Sequence, residues 1–327
     1  MSTQENKREH VWTWPIATYL FLGGLGAAMT LVAVMADLVL GLGQTFVFCI
    51  AGAIVCLGLG SALLIFELGR PFAFWRVFSK QRAVLTFGAW MVILLVVIDV
   101  VYFSFHCGWL PWSTTFLEPQ SVGASVCALV ALLLSCGVMI YTGVELSSMK
   151  ARSFWNSPVL PVLFVVSAIL TGSGADALVI GLFLPWSGSV LGAAVAAAGV
   201  AVSLGVLYIL MMATVVGTLF VVMVYVLMMY TSSDGVARIA AKRWLSGQYA
   251  LAFWGGLVLA GLLLPVALLL FGGSSGLYLA SLLVIVGGVI LRFLVVYSDD
   301  RRQFAGEELR RSRLPVGDEP FLKRDWG

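Results

Sequence analysis

Apolar residues along this chain come in long blocks rather than in the alternation of a strand or the stripe of a surface helix. The blocks fall at about 12–40, 46–68, 84–106, 122–147, 158–184, 190–230, 250–271 and 276–297. A helix rises 1.5 Å per residue, so about 20 apolar residues cross a hydrocarbon core of about 30 Å. Each block is long enough to do so. In lipid the backbone finds no water to bond, and a helix meets that need within one segment. The pattern therefore predicts an all-α integral membrane protein, a bundle of about eight transmembrane helices.

The block at 190–230 is unusual, because about forty apolar residues would span roughly 60 Å as one helix. Either its Gly/Ala-rich first half, Gly192 to Gly205, lies at the membrane interface, or two helices hide in it. No polar turn separates Ala193 from Tyr230, which favours one crossing. No internal repeat or low-complexity linker divides the chain, so one membrane domain is expected over 1–298. The tail at 299–327 is a different material: Asp299-Asp300-Arg301-Arg302 and Glu307-Glu308-Leu309-Arg310-Arg311 cannot be embedded in lipid. It reads as a solvated tail or as a strap for a soluble subunit.

Composition agrees with the bilayer as solvent: hydrophobic residues make up 61% of the chain and charged residues 11%, against roughly 25% charge in a soluble domain. The net charge of +3 is small and gives no footprint for nucleic acid, because the basic residues sit in short loops. They work instead as topology signals, since Lys and Arg concentrate on the cytoplasmic side. Basic residues occur before helix 1 (Lys7, Arg8), in the 2–3 loop (Arg70, Arg76, Lys80, Arg82), in the 4–5 loop (Lys150, Arg152), in the 6–7 loop (Arg238, Lys242, Arg243) and in the tail. The alternate loops carry none. An even helix count with both termini cytoplasmic follows. Asp234 to Tyr249 mixes those basic residues with Ile239, Trp244 and Leu245, as a helix lying on the membrane surface would. The first block is apolar from about Val11 to Leu40, far longer than the 7–15 residues of a signal-peptide core, and is expected to remain as helix 1.

Metal and haem chemistry find no ligands here. The five cysteines, Cys49, Cys56, Cys107, Cys127 and Cys136, show no CxxC or CxxCH spacing and read as small packing residues. A membrane cytochrome b needs two axial ligands facing each other. This chain has only His10, before helix 1, and His106, at the far end of helix 3. No haem and no metal are expected in it, so any electrons must come from a centre elsewhere. Gly23, Gly24 and Gly26 read as close helix contacts, because no strand precedes them to make a nucleotide loop.

Ionisable residues inside spans are costly and tend to mark function. Glu67 ends helix 2, Tyr141 and Glu145 end helix 4, Tyr19 lies about one turn into helix 1, and Arg292 lies a turn or two inside the end of the last helix. All fall on the cytoplasmic half. Asp99 lies deeper in helix 3, while Asp37 and Asp176 fall near the opposite surface. A quinone headgroup needs hydrogen-bond donors for its two carbonyl oxygens, a proton route and apolar walls for its tail. A tyrosine hydroxyl beside a buried carboxyl suits that need. Glu67 with Tyr141 is thus the leading candidate site, against a hydrogen-bonded pair that only stabilises the bundle. Arg292 reads either as a charge paired with a carboxylate or as a member of the site. Asp99 reads as a relay member or as a helix acid bonded to a neighbour. A secondary transporter would show inverted repeats and broken helices, which are not evident; a purely structural anchor is the other alternative.

The stretch Trp12-Thr13-Trp14-Pro15-Ile16-Ala17-Thr18-Tyr19-Leu20-Phe21-Leu22-Gly23-Gly24 resembles the opening helix of the NrfD/PsrC family, membrane subunits of polysulfide, nitrite and related reductases. Further matches follow in order: Leu68-Gly69-Arg70-Pro71 with Phe74-Trp75, Tyr141-Thr142-Gly143, Trp155-Asn156-Ser157-Pro158 with Leu160-Pro161, and Leu291-Arg292-Phe293. The resemblance implies a cofactor-free, eight-helix subunit of the bacterial inner membrane. Such a subunit exchanges electrons between a menaquinone or ubiquinone pool and a four-cluster ferredoxin-like iron–sulfur partner, which serves a catalytic subunit often of the molybdopterin type. It maps the family's quinone-site tyrosine onto Tyr141 and its acid at the end of helix 2 onto Glu67. Trp14, Tyr19 and Arg70 are then expected around the headgroup, with Asp99, Glu145 and Arg292 as proton-relay residues. Two departures stand out. Some relatives carry Asn and His where this chain has Pro15, Ile16, Thr18 and Tyr19. Many carry an acid in helix 6, whereas here none lies between Asp176 and Asp234, which speaks against redox-driven proton pumping.

Overall fold

The computed structural model describes residues 14–67, 84–106, 122–191 and 193–298, and among them every regular element is a helix. In chain order these are α1 (Trp14–Leu40), α2 (Gly43–Glu67), α3 (Val84–His106), α4 (Val122–Ser147), α5 (Val159–Leu191), α6 (Ala193–Thr231), α7 (Gly235–Ser246), α8 (Leu251–Phe271) and α9 (Gly273–Val296). All but α7 are long and apolar enough to cross a membrane, which gives eight candidate spans among the described residues. Within the long block at 190–230, residues 193–230 lie in one continuous helix, α6, in line with the missing polar turn. The fifth candidate span runs Val159–Phe183, matching the expected 158–184, and its helix α5 continues to Leu191. No charged residue lies between Asp176 and Leu191 to stop it.

Burial ranks the helices. The membrane-spanning part of α1 is 83% buried and that of α5 72%, whereas those of α2, α3, α4 and α6 are 28–33% buried. The first span is therefore the axis of the bundle, and its glycines explain how neighbours approach it. A side chain at Gly26 would strike Leu57 and the Ala53 carbonyl of α2 at 2.8 and 2.9 Å. Gly24 faces Ala168 of α5 at 3.4 Å and the Arg292 guanidinium of α9 at 3.7 Å, and Gly23 faces Thr142 of α4. Small residues let backbones close in where lipid offers no hydrophobic drive for association. The same device joins α8 to α9, where a Cβ at Gly261 would lie 2.6 Å from the Gly287 Cα.

Hydroxyl groups inside the bundle mostly bond back to their own helix. Thr142 donates to the Met139 carbonyl at 2.8 Å, Ser203 to Gly199 at 2.8 Å and Thr218 to Thr214 at 2.7 Å, which satisfies them without a partner helix. The eighth span, α8, begins in the wider π register over Leu251–Leu263 and becomes α-helical over Leu264–Phe271. The change coincides with Pro265, whose ring nitrogen has no hydrogen to donate.

The amphipathic segment after α6 forms a separate short helix, α7, packed on the bundle by one face. Asp234 caps α7 by accepting from the Val236 amide at 3.1 Å, and Ala237, Ala240, Ala241 and Trp244 form its buried face. An aromatic cluster fixes that end of the bundle. Trp244 packs against Phe154, Tyr225 and Phe253 with ring centroids 5.1–6.2 Å apart. The Trp155 indole donates to the Val295 carbonyl at 2.7 Å and the Trp244 indole to the Ser298 hydroxyl at 2.8 Å. The 4–5 connection, α7 and the end of α9 are thereby tied together. The expected tail at 299–327 and the loop residues Arg70, Arg76, Lys80 and Arg82 lie outside the described residues.

Candidate functional site

Tyr19 of α1 and Tyr141 and Glu145 of α4 converge at one end of the bundle. Tyr141 and Glu145 are four residues apart, so they share one face of their helix and point towards the central helix. All three are buried, with 3%, 4% and 8% of their surfaces exposed. The Tyr141 hydroxyl lies within interaction reach of both the Tyr19 hydroxyl and the Glu145 carboxyl. Yet neither that hydroxyl nor Glu145 Oε2 has a partner of hydrogen-bonding geometry among the described residues. Unmatched buried polar atoms cost about 1–3 kcal/mol each, and where they cluster a ligand or water is the natural partner.

The ring of Tyr141 owes its place to a glycine in α3. A Cβ at Gly88 would fall onto the Tyr141 ring atoms Cζ, Cε1 and Cε2. Gly143 makes similar room on the other side, where a Cβ would meet Pro161 of α5. The tyrosine is thus held flat against bare backbone. Sequence reasoning missed Gly88, because one glycine in an apolar run does not announce which helix it faces.

The other expected site residues are spread more widely. Trp14 begins α1 and is 57% exposed, so it stands at the rim. Glu67 is the last residue of α2, its side chain outside the described set, and Arg70 lies outside it altogether. Helix register still gives the level of Glu67. Gly60 of α2 lies beside the Tyr19 carbonyl and the Gly23 amide, its missing Cβ 3.6 Å from each, and Glu67 is seven residues further along, about 10 Å towards the start of α1. Glu67 therefore ends near the level where α1 begins, roughly a turn outside Tyr19.

Arg292 is held by neutral groups. It is 2% exposed, its guanidinium stacks 3.8 Å above the Phe164 ring, and it donates to the Ser167 hydroxyl at 2.9 Å and the Phe164 carbonyl at 3.1 Å. No carboxylate among the described residues pairs with it, and its Nε has no partner there. Of the two readings, the carboxylate pair is not formed among the described residues, because the side chain turns towards α5 and the gap at Gly24. Asp99 is fully buried and accepts from the Thr30 hydroxyl at 2.8 Å, leaving Oδ1 without a partner among the described residues.

A second polar group lies at the opposite end, and the sequence does not announce it as a unit. Asp37 of α1 accepts from the Tyr102 hydroxyl at 2.6 Å and the Gly43 amide at 3.0 Å, with His106 Nε2 3.5 Å away. Tyr102 and His106 are four apart on α3, so their spacing is visible in the sequence, but only the fold brings Asp37 to them. Asp176 is also fully buried, and both its carboxylate oxygens lack a partner among the described residues. No group of three or more metal-binding side chains gathers among those residues.

Eight apolar spans among the described residues, seven of them around the glycine-lined α1, with acids and tyrosines buried between them, define a multi-pass membrane protein with polar chemistry inside its bundle. The family described as Polysulphide reductase, NrfD, matches residues 2–299, and the chain belongs to it. The C chain of polysulfide reductase from Wolinella succinogenes is 32% identical over 310 residues, covering 88% of this chain and 94% of that protein. Protein NrfD of Escherichia coli is 27% identical over 320 residues, with the same coverage of 88% and 94%. The family read from five short motifs is thus the family that residues 2–299 match.

Proposed function

We propose that this chain is the quinone-reactive membrane subunit of a respiratory oxidoreductase complex. In this reading it exchanges electrons between the membrane quinone pool, menaquinone or ubiquinone, and a four-cluster ferredoxin-like iron–sulfur partner. A catalytic subunit of the molybdopterin type completes the complex. The observation that carries the reading is the convergence of Tyr19, Tyr141 and Glu145, where a phenol hydroxyl and a carboxylate oxygen are buried near one another without a well-formed hydrogen bond among the described residues. Membership of the polysulphide reductase family supports it.

Oxidation of a quinol releases two electrons and two protons. The two tyrosine hydroxyls can donate to a headgroup oxygen, and Glu145 or Glu67 can take a proton as the electrons leave for the partner. Trp14 at the rim and Arg70 beyond the end of α2 complete the proposed surroundings. Arg292, a cation without a carboxylate partner among the described residues, raises the positive potential inside the bundle and favours negative charge developing on the headgroup. Asp99 with Thr30 is the proposed inner relay member. By the charge rule this end of the bundle, with both termini, faces the cytoplasm across a bacterial inner membrane.

The test is Tyr141→Phe beside Glu67→Gln and Glu145→Gln in the assembled complex. Tyr141→Phe keeps the ring against Gly88 and removes one donor, worth about 1–3 kcal/mol, so the quinone-linked rate should fall roughly ten- to a hundredfold while dye-linked activity holds. The two acid variants should slow turnover and leave assembly intact. Wild-type quinone-linked activity in all three, with full assembly, would move the site elsewhere.

A further inference from the structure

We infer a binding site for one anionic phospholipid in the groove between α6, α7 and α8, with its headgroup against the basic face of α7. The last three turns of α6, from Leu219 to Tyr230, and the first turns of α8, from Phe253 to Val258, bound an apolar groove of about 260 Å³ closed at one end by Leu245 of α7. By helical rise it runs about 16 Å into the hydrocarbon from the level of α7, the reach of an acyl chain.

The end of the groove is furnished for a headgroup. Arg238, Lys242 and Leu245 follow one another at intervals of four and three residues, so the two basic residues share a face of α7 with the side chain that closes the groove. Arg238 and Lys242 are exposed, and neither pairs with a carboxylate among the described residues. Arg238 is steadied by donating to the Ser232 carbonyl at 2.9 Å, which leaves further guanidinium N–H groups for an anion. Tyr230 and Trp254, 43% and 51% exposed, line the groove on its two sides, and the Trp254 indole donates to the Leu245 carbonyl at 3.0 Å. Amphipathic aromatic rings at this depth are the usual markers of a headgroup boundary. The Asp234 carboxylate caps the first turn of α7 and keeps its charge there, about one turn before Arg238 and about 12 Å along the helix from Lys242.

Charge favours an anionic lipid over a zwitterionic one. Each basic residue near the surface contributes to the attraction of an anionic headgroup, and the adjoining apolar groove holds the chain that comes with it. By contrast, the larger groove of about 470 Å³ between α1, α5 and α6 is lined by aliphatic and methionine side chains alone and offers no such preference. An acidic face of a soluble partner could meet Arg238 and Lys242, but it would leave the groove beneath them unexplained.

The experiment uses the full chain in nanodiscs of phosphatidylcholine containing increasing fractions of phosphatidylglycerol with brominated acyl chains. Bromine quenches nearby indoles, and the signal of Trp254 is isolated as the difference between wild type and Trp254→Phe. Quenching should reach half its maximum at a mole fraction roughly tenfold lower than with brominated phosphatidylcholine. The exposed double variant Arg238→Gln/Lys242→Gln should erase that difference while leaving the maximum unchanged. Equal quenching by the two lipids in the wild type would overturn the inference. So would an anionic preference that survives in the double variant, or a double variant that loses a co-purifying soluble protein while its lipid preference stays the same. None of these outcomes depends on quinone chemistry.

Discussion

Replacing Gly88 with alanine tests how closely the position of Tyr141 governs the proposed chemistry. A methyl group there would coincide with the tyrosine ring. Carbon atoms pack at about 3.5–4.0 Å, so either the ring or α3 must move on the order of 1–2 Å. Overpacking of this kind costs about 1–3 kcal/mol of stability. Misplacing a reacting group by about 1 Å can cost on the order of a hundredfold in rate. The expected result is a complex that assembles, keeps its dye-linked activity and loses roughly ten- to a hundredfold of its quinone-linked rate, about 1.4–2.8 kcal/mol of barrier. Gly58→Ala is the matched control, since a Cβ at Gly58 meets nothing within 4 Å, and it should leave every rate unchanged. Both variants are assayed in membranes, with the amount of assembled complex measured by immunoblot. If Gly88→Ala assembles and turns over quinone at the wild-type rate, the ring is not held at a reacting position and the reasoning fails.

Arg292→Lys keeps the charge but loses the flat stack on Phe164 and the forked donation to Ser167 and the Phe164 carbonyl, so it should lower thermal stability in detergent by about 1–3 kcal/mol; an unchanged melting temperature would contradict that setting. The purified chain, stripped of partners, should show no Soret band, since His106 is engaged at the Asp37 end and His10 precedes the first helix; a retained band would show haem ligation that the histidine spacing argues against. A reporter fused after Gly327 should be active only in the cytoplasm if the basic loops obey the charge rule, and extracytoplasmic activity would reverse the proposed sidedness.

The spans were legible because a membrane helix needs only length and apolarity, both of which the blocks display directly. The short helix α7 was legible for the opposite reason, its basic residues interrupting an apolar face. What the pattern does not encode is the rotation of each helix. A helix that is apolar all round gives no sign of which side meets a neighbour. Tyr19, Tyr141 and Glu145 could be placed at one end by counting residues, but the seat of the Tyr141 ring depends on Gly88, which looks like any other small residue in its run. Arg292 was legible as a charge inside a span, while its bonds to a ring, a hydroxyl and a carbonyl were not foreseeable from charge pairing. The Asp37, Tyr102 and His106 group shows the same gap, since two of its members are spaced for contact and the third comes from another helix.

The most direct test of the central claim is covalent labelling of the assembled complex with a photoreactive azidoquinone, followed by mapping of the labelled peptides. The account predicts labelling within the segments of α1 and α4 that carry Tyr19 and Tyr141, suppressed by excess quinol and reduced in Gly88→Ala. Labelling that is suppressed by quinol but lies wholly outside those two helices would contradict it.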